Sequence, residues 1–125
     1  MLDGTAGLPT LDPDAVRALV QLVGDDRQAL GEIVDAFLED APQQLAELRL
    51  AAAENDDALA RRAAHTLKAN GRTFGAGRLA SLCEEIETAA RAGDLASARG
   101  RIDEVDEAWA EVEDELTALR EGEWP

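Results

Sequence analysis

The sequence predicts an all-α chain. Helix-forming residues dominate, no run of β-branched or aromatic residues occurs, and apolar positions recur at three- and four-residue intervals between short breaks rich in Gly, Asn and Asp. Short connections between four long amphipathic segments predict an antiparallel four-helix bundle, with one additional short N-terminal helix as a cap. The domain is expected over residues 12–120, flanked by a flexible tail at 1–11 and a short tail at 121–125. No internal repeat is visible.

Asp12-Pro13 opens the first helix, with aspartate as N-cap and proline at the first helical position. Val16, Leu19, Val20 and Val23 form its apolar stripe, and Gly24 stops it. A second helix opens at Asp25 or Asp26 and carries Leu30, Ile33, Val34, Phe37, Ala41, Leu45 and Leu48. Pro42 falls inside this pattern; the stripe continues in phase beyond it, so a kink is expected rather than a split. Asn55-Asp56-Asp57 is a turn and cap, after which a third helix runs from about Asp57 to Phe74. Gly75-Ala76-Gly77 breaks it. A fourth helix has Leu79, Leu82, Cys83, Ile86 and Ala90 on one side and ends at Gly93-Asp94. The fifth runs from Leu95 through Ala98, Ile102, Val105, Trp109, Val112 and Leu116 to Leu119.

Composition narrows the partners. A hydrophobic share of 46% supports a packed core in a chain of 125 residues. The net charge of −15 would be repelled by nucleic acid and by anionic membrane surfaces, which leaves proteins as partners. No apolar run is long enough to span a bilayer, and the acidic N-terminus lacks the basic region of a signal peptide. A single cysteine, Cys83, cannot form an internal disulfide and fits a reducing cytoplasm. A monomer is expected.

The third helix holds the one histidine. On a helical wheel with Leu67 at zero, Ala60, Ala63, Ala64, Asn70, Gly71 and Phe74 fall within about 60° and define the buried side. His65 lands near ~160°, with Lys68 near ~100°, Arg61 near ~120° and Arg72 near ~140°. The histidine therefore points outward among cations. From Ala58 to Cys83 there is no Asp or Glu, although the chain has 27 acids, while five of the 12 basic residues (Arg61, Arg62, Lys68, Arg72, Arg78) lie there. Such a window suits an anion. A phosphohistidine needs a neutral ring nitrogen to attack and positive charge for the phosphoryl oxygens. Against this stands the bland alternative of an ordinary solvated face carrying an idle histidine.

Ala64-His65-Thr66-Leu67-Lys68-Ala69-Asn70, then Phe74-Gly75-Ala76, then Leu79, Leu82-Cys83 and Ile86-Glu87 resemble the signature of the histidine-containing phosphotransfer (HPt) family. The resemblance covers about 27 residues closely and, through the helix layout, nearly the whole chain. It implies that His65 accepts a phosphoryl group from a receiver aspartyl phosphate or a histidine kinase and passes it to another receiver. The domain itself would need no cofactor; Mg²⁺ and the acidic pocket would belong to the receiver, and the chemistry would be in-line transfer dominated by positioning. Lys68 matches the family lysine that supports phosphate charge. Glu87 matches a Glu or Gln that can hydrogen-bond the imidazole and orient it, and Arg91 falls on the same rim. Ala69 stands where the family usually has glycine, keeping the approach to His65 nearly open. Arg72 departs from the pattern and is expected either to add a second cation to the phosphoryl site or to contact the receiver. Gly71, in mid-helix, costs about 1 kcal/mol against alanine and is expected to mark close helix packing.

The acidic runs Glu84-Glu85…Glu87 and Glu111…Glu115 have no histidine ligand beside them and read as solvated faces, so no metal is expected. The glycines around Gly75 precede no lysine at P-loop spacing. Cys83 and Trp109 read as core, and Trp124 as exposed. Two other functions share the fold: a receiver-binding adaptor that transfers nothing, and the phosphorylatable N-terminal module of a chemotaxis-type kinase. The intact His65, Lys68 and Glu87 favour the carrier. The start at Met1 and the end soon after the last helix suggest a free-standing protein. The receiver is expected to dock over His65 on exposed apolar residues of the first two helices, such as some among Leu19, Leu22 and Leu38.

Overall fold

The computed structural model describes residues 10–122, and among these every regular element is helical. The helices are α1 (Pro13–Leu22), α2 (Arg27–Glu54), α3 (Asp57–Thr73), α4 (Gly77–Arg91) and α5 (Arg101–Arg120), with a single 3₁₀ turn at Leu95–Ala98 before the last. Local chemistry sets their starts. Asp12, Asp26 and Asp56 each sit in extended backbone and accept hydrogen bonds from the first free N–H groups of α1, α2 and α3. At the end of α2, Asn55 takes the left-handed conformation (φ 54°) that closes the helix.

α2, α3, α4 and α5 pack in a ring: α3 lies against α2 and α4, and α5 closes the ring against the same two. Their apolar stripes meet in one continuous core that includes Val34, Phe37, Leu48, Leu67, Leu82, Ile86, Val105 and Leu116. Phe37 is central to it, its ring 5.5 Å from Phe74 and 5.1 Å from Trp109. On α3 the inward face is made of Ala60, Ala63, Ala64, Leu67 and Gly71, all buried. Small residues there let the neighbouring helices approach closely.

α2 is one helix that runs unsplit through Pro42, as expected. Two details depart from expectation. The fifth segment is divided: Leu95 and Ala98 occupy the 3₁₀ turn, and α5 begins only after Gly100. Both pieces still bury their apolar residues, because a three-residue spacing is common to both kinds of turn. Gly71 does not mark a forced close approach, since a Cβ there would meet Ala76 and Leu79 at an ordinary 3.7 Å. Gly75 is different. It has φ +69°, and a Cβ would come within 2.5 Å of Asp12 and 2.8 Å of Ala15. Its carbonyl also accepts from the Asp12 N–H at 3.0 Å, so the α3–α4 turn is the seat on which α1 begins. Asn70, placed on the buried side by its wheel angle, is half-buried and donates to Asp40 at 3.4 Å, because an amide needs a polar partner to sit at the core's edge.

Candidate functional site: a histidine and a buried carboxylate

The site spans α3 and α4, the most extensively packed pair in the fold. Because the alanine face of α3 turns inward, His65 is carried to the outside, and its side chain is 63% exposed. Across the helix pair, Glu87 lies on the inward side of α4 between Ile86 and Ala90, and its side chain is only 5% exposed. It is the one buried charged or polar residue of the described chain.

A buried carboxylate must be paired and hydrogen-bonded, and Glu87 is so on both oxygens. His65 Nδ1 lies 3.0 Å from Oε2, Arg91 donates to the same oxygen at 3.1 Å, and Lys68 Nζ donates to Oε1. Burial pushes the Glu87 carboxyl up, but the hydrogen bonds from Lys68 and His65, with their charges, outweigh burial and hold it below the ordinary carboxylate range. An ionised carboxylate can only accept. The proton between His65 and Glu87 therefore belongs on Nδ1, and the neutral ring keeps its lone pair on Nε2. The ring is oriented by a fixed acceptor and presented to solvent.

Beside it runs an open groove of about 470 Å³, lined by Ala58, Arg61, Arg62, His65, Thr66, Glu87 and Arg91. One nucleophilic nitrogen, held by a buried base and bordered by arginines, is equipped to carry an anionic electrophile.

A family model of the Hpt domain matches residues 32–122. The chain belongs to the Hpt domain family. The Hpt domain shares its fold with the crystal structure of histidine-containing phosphotransfer protein B (HptB) from Pseudomonas aeruginosa PAO1, with a TM-score of 0.82 and 28% sequence identity over 90% of this chain and 96% of that one. No curated protein matches it. Membership assigns the chain to histidine phosphotransfer in two-component signalling, where Hpt proteins act as phosphocarriers rather than enzymes and meet receiver domains and kinases.

Of the site residues read from the sequence of this Hpt domain, His65, Lys68, Glu87 and Arg91 come together in the structure. Ala69 is exposed next to Lys68. Arg72 does not join them. It faces Glu84 at 3.7 Å, and seven residues along a helix put it about 10 Å from His65. Lys68, read as the cation that supports phosphate charge, has a side chain only 12% exposed, with its ammonium on Glu87. Arg62, which no sequence signal singled out beyond the acid-free window, lines the groove with Arg61. No helix among the described residues is long and apolar enough to cross a membrane.

Cys83 is fully buried; burial, reinforced by the charge of Glu87 and only partly offset by Lys68, pushes its thiol up to about 12. It is a core residue. Among the expected docking residues Leu22 is 81% exposed and Leu38 is partly buried, whereas Leu19 is buried with Val16 and Val20 on the inward stripe of α1. Leu19 is thereby excluded as a docking residue. Trp124 lies outside the described residues.

Proposed function

We propose that His65 is the phosphoryl carrier of this Hpt domain, relaying the group between receiver aspartates or from a histidine kinase to a response regulator. The observation that carries this is the bond from Nδ1 of an exposed histidine, the chain's only one, to a buried carboxylate. Nε2 attacks the phosphorus of a receiver aspartyl phosphate; the Nε2–P bond forms as the aspartyl O–P bond breaks in line. The phosphorylated ring keeps its Nδ1 proton and so becomes cationic, and Glu87 lies against that charge. Return transfer to a second aspartate regenerates the neutral ring. Mg²⁺ and the acidic pocket come from the receiver, so the carrier itself supplies no cofactor and no kinase activity. Ala69 leaves the approach open, and the exposed Leu22 with Leu38 offers apolar contact to the receiver. The four ringed helices form an antiparallel bundle, capped by α1, that holds this arrangement still in a cytoplasmic monomer.

The test is incubation with a panel of phosphorylated receiver domains, followed by intact-mass analysis at neutral to alkaline pH. Wild type is expected to gain one phosphoryl group and His65→Gln none. Measurable receiver binding with no transfer from any donor would instead favour an adaptor.

A further inference from the structure

The cations around His65 fall into two sets. Lys68 and Arg91 are held by Glu87. Arg61 and Arg62, one turn before His65, line the same groove, and among the described residues neither enters an ion pair of the kind that holds other arginines. This is unusual in a chain with 27 acids and 12 basic residues. Elsewhere the arginines are occupied: Arg49 by Asp103 and Asp106, Arg72 by Glu84, Arg78 by Glu107, Arg120 by Asp35, and Arg99 by the Ala52 carbonyl. No acid lies between Ala58 and Cys83, and Asp57, just before that stretch, lines a neighbouring pocket with Arg61 while its buried Oδ1 has no hydrogen-bond partner.

A phosphoryl group placed on Nε2 adds close to two negative charges at neutral pH. The ammonium of Lys68 is drawn in toward Glu87 Oε1 on a side chain only 12% exposed, which commits one of its three donors and turns it away from the open side of the ring. A guanidinium, by contrast, presents several donors in a planar fork suited to phosphate oxygens. Residues three and four before His65 are its neighbours on the helix surface.

We propose that Arg61 and Arg62 are the residues that hold the phosphoryl oxygens on His65, while Lys68 is a positioning residue that acts through Glu87 to fix the imidazole. The inference rests on His65 being the carrier. It separates two duties, binding the transferred group and orienting the nucleophile, that one lysine would otherwise combine.

The division can be tested without knowing the receiver. Phosphoramidate, a small P–N donor, phosphorylates histidine directly: the Nε2–P bond forms, the donor P–N bond breaks and ammonia leaves. The full chain would be treated with it and the mass gain followed over time, with circular dichroism checking the fold of each variant. Arg61→Gln/Arg62→Gln is expected to slow phosphorylation roughly ten-fold and to raise the phosphoryl pKa read by ³¹P NMR, as lost charge-assisted donors require. Arg61→Lys/Arg62→Lys, which keeps the charge, should recover much of the rate, and Arg17→Gln on α1 should match wild type. Lys68→Gln should leave the ³¹P titration in place but alter the ¹⁵N signature of the imidazole, the readout of a changed Glu87 bond. The assignment is overturned if the double glutamine variant reacts and titrates like wild type, or if Lys68→Gln moves the ³¹P titration and leaves the imidazole untouched. A wild type that gains nothing at His65 would remove the carrier reading, and this inference with it.

Discussion

Two regions of the molecule hold opposite charges together across helices, and they do so in different surroundings. Between α3 and α4, Glu87 is shielded from solvent and answers to three donors at once. Between α2 and α5, Arg49 pairs with Asp103 and Asp106, and Arg120 with Asp35, through side chains that are mostly a third or more exposed. Geometry is similar, but water is not. A buried carboxylate cannot exchange a lost partner for solvent, whereas an exposed one does so at little cost. The first region can therefore fix the direction of a histidine ring, and the second only decorates a surface that the apolar core already holds.

The largest effect that would expose this contrast is Glu87→Ala. It leaves Lys68, 12% exposed, without its carboxylate and His65 without its orienting acceptor. A loss of about 3 kcal/mol in unfolding free energy is expected, as for breaking a buried ion pair from one side. Phosphoryl transfer should fall on the order of 100-fold, because the ring loses its tautomer and its orientation. Urea unfolding followed by circular dichroism, and transfer from a phosphorylated receiver, measure the two. A stability change under 1 kcal/mol would mean that Glu87 behaves like a surface acid despite its burial.

Acid sharpens the same comparison. The Glu87 carboxyl is held below its ordinary value of 4.5 in the folded chain, so its contribution to stability is complete above pH 4.5 and is lost as the pH falls through the folded value. Wild type should therefore exceed Glu87→Gln by a steady margin above pH 4.5. Below it the margin should shrink, as wild type takes up the proton that the amide never needs. The urea midpoints of both proteins across that range decide it; a margin independent of pH would show that the charge of Glu87 is not what stabilises the site.

How much of this was legible in the residues alone depends on what each signal encodes. Helix starts at Asp12, Asp26 and Asp56 were readable, because a cap is a local hydrogen bond made by a nameable side chain. The 3₁₀ turn at Leu95–Ala98 was not, because Leu95, Ala98 and Ile102 bury themselves equally well on either path. The pairing of His65 with Glu87 came from the family motif, which spans both helices; periodicity alone gave only the outward direction of His65. A wheel angle says which way a Cβ leaves the helix and nothing about where a long side chain ends. That is why the wheel, which places Lys68 at the boundary of the buried face, does not show that its side chain is drawn along the apolar surface to Glu87. The same wheel hides axial distance, so Arg72 shared an angle with His65 and still met Glu84 two turns away. Among the three docking candidates the stripe itself discriminates: Leu19 lies in phase with Val16 and Val20 and is buried, while Leu22 is out of phase and exposed.

The smallest predicted effect is the one that isolates solvent as the cause. Arg49→Ala removes a cation that approaches two aspartates of α5 and joins two core helices, so on contact geometry alone it should matter. Arg49 and Asp103 are nevertheless well exposed, at 52% and 82% of their side chains, so water and counter-ions replace the lost partner. The expected change is under about 0.5 kcal/mol, and it should vanish in 1 M salt by the screening that governs exposed charges. Phosphoryl transfer should not change, because Arg49 lies on α2 against α5 and touches neither His65 nor the groove. A loss comparable to that of Glu87→Ala would break the comparison outright. It would mean that the number of ionic contacts, rather than their removal from water, sets what a charge contributes in this fold.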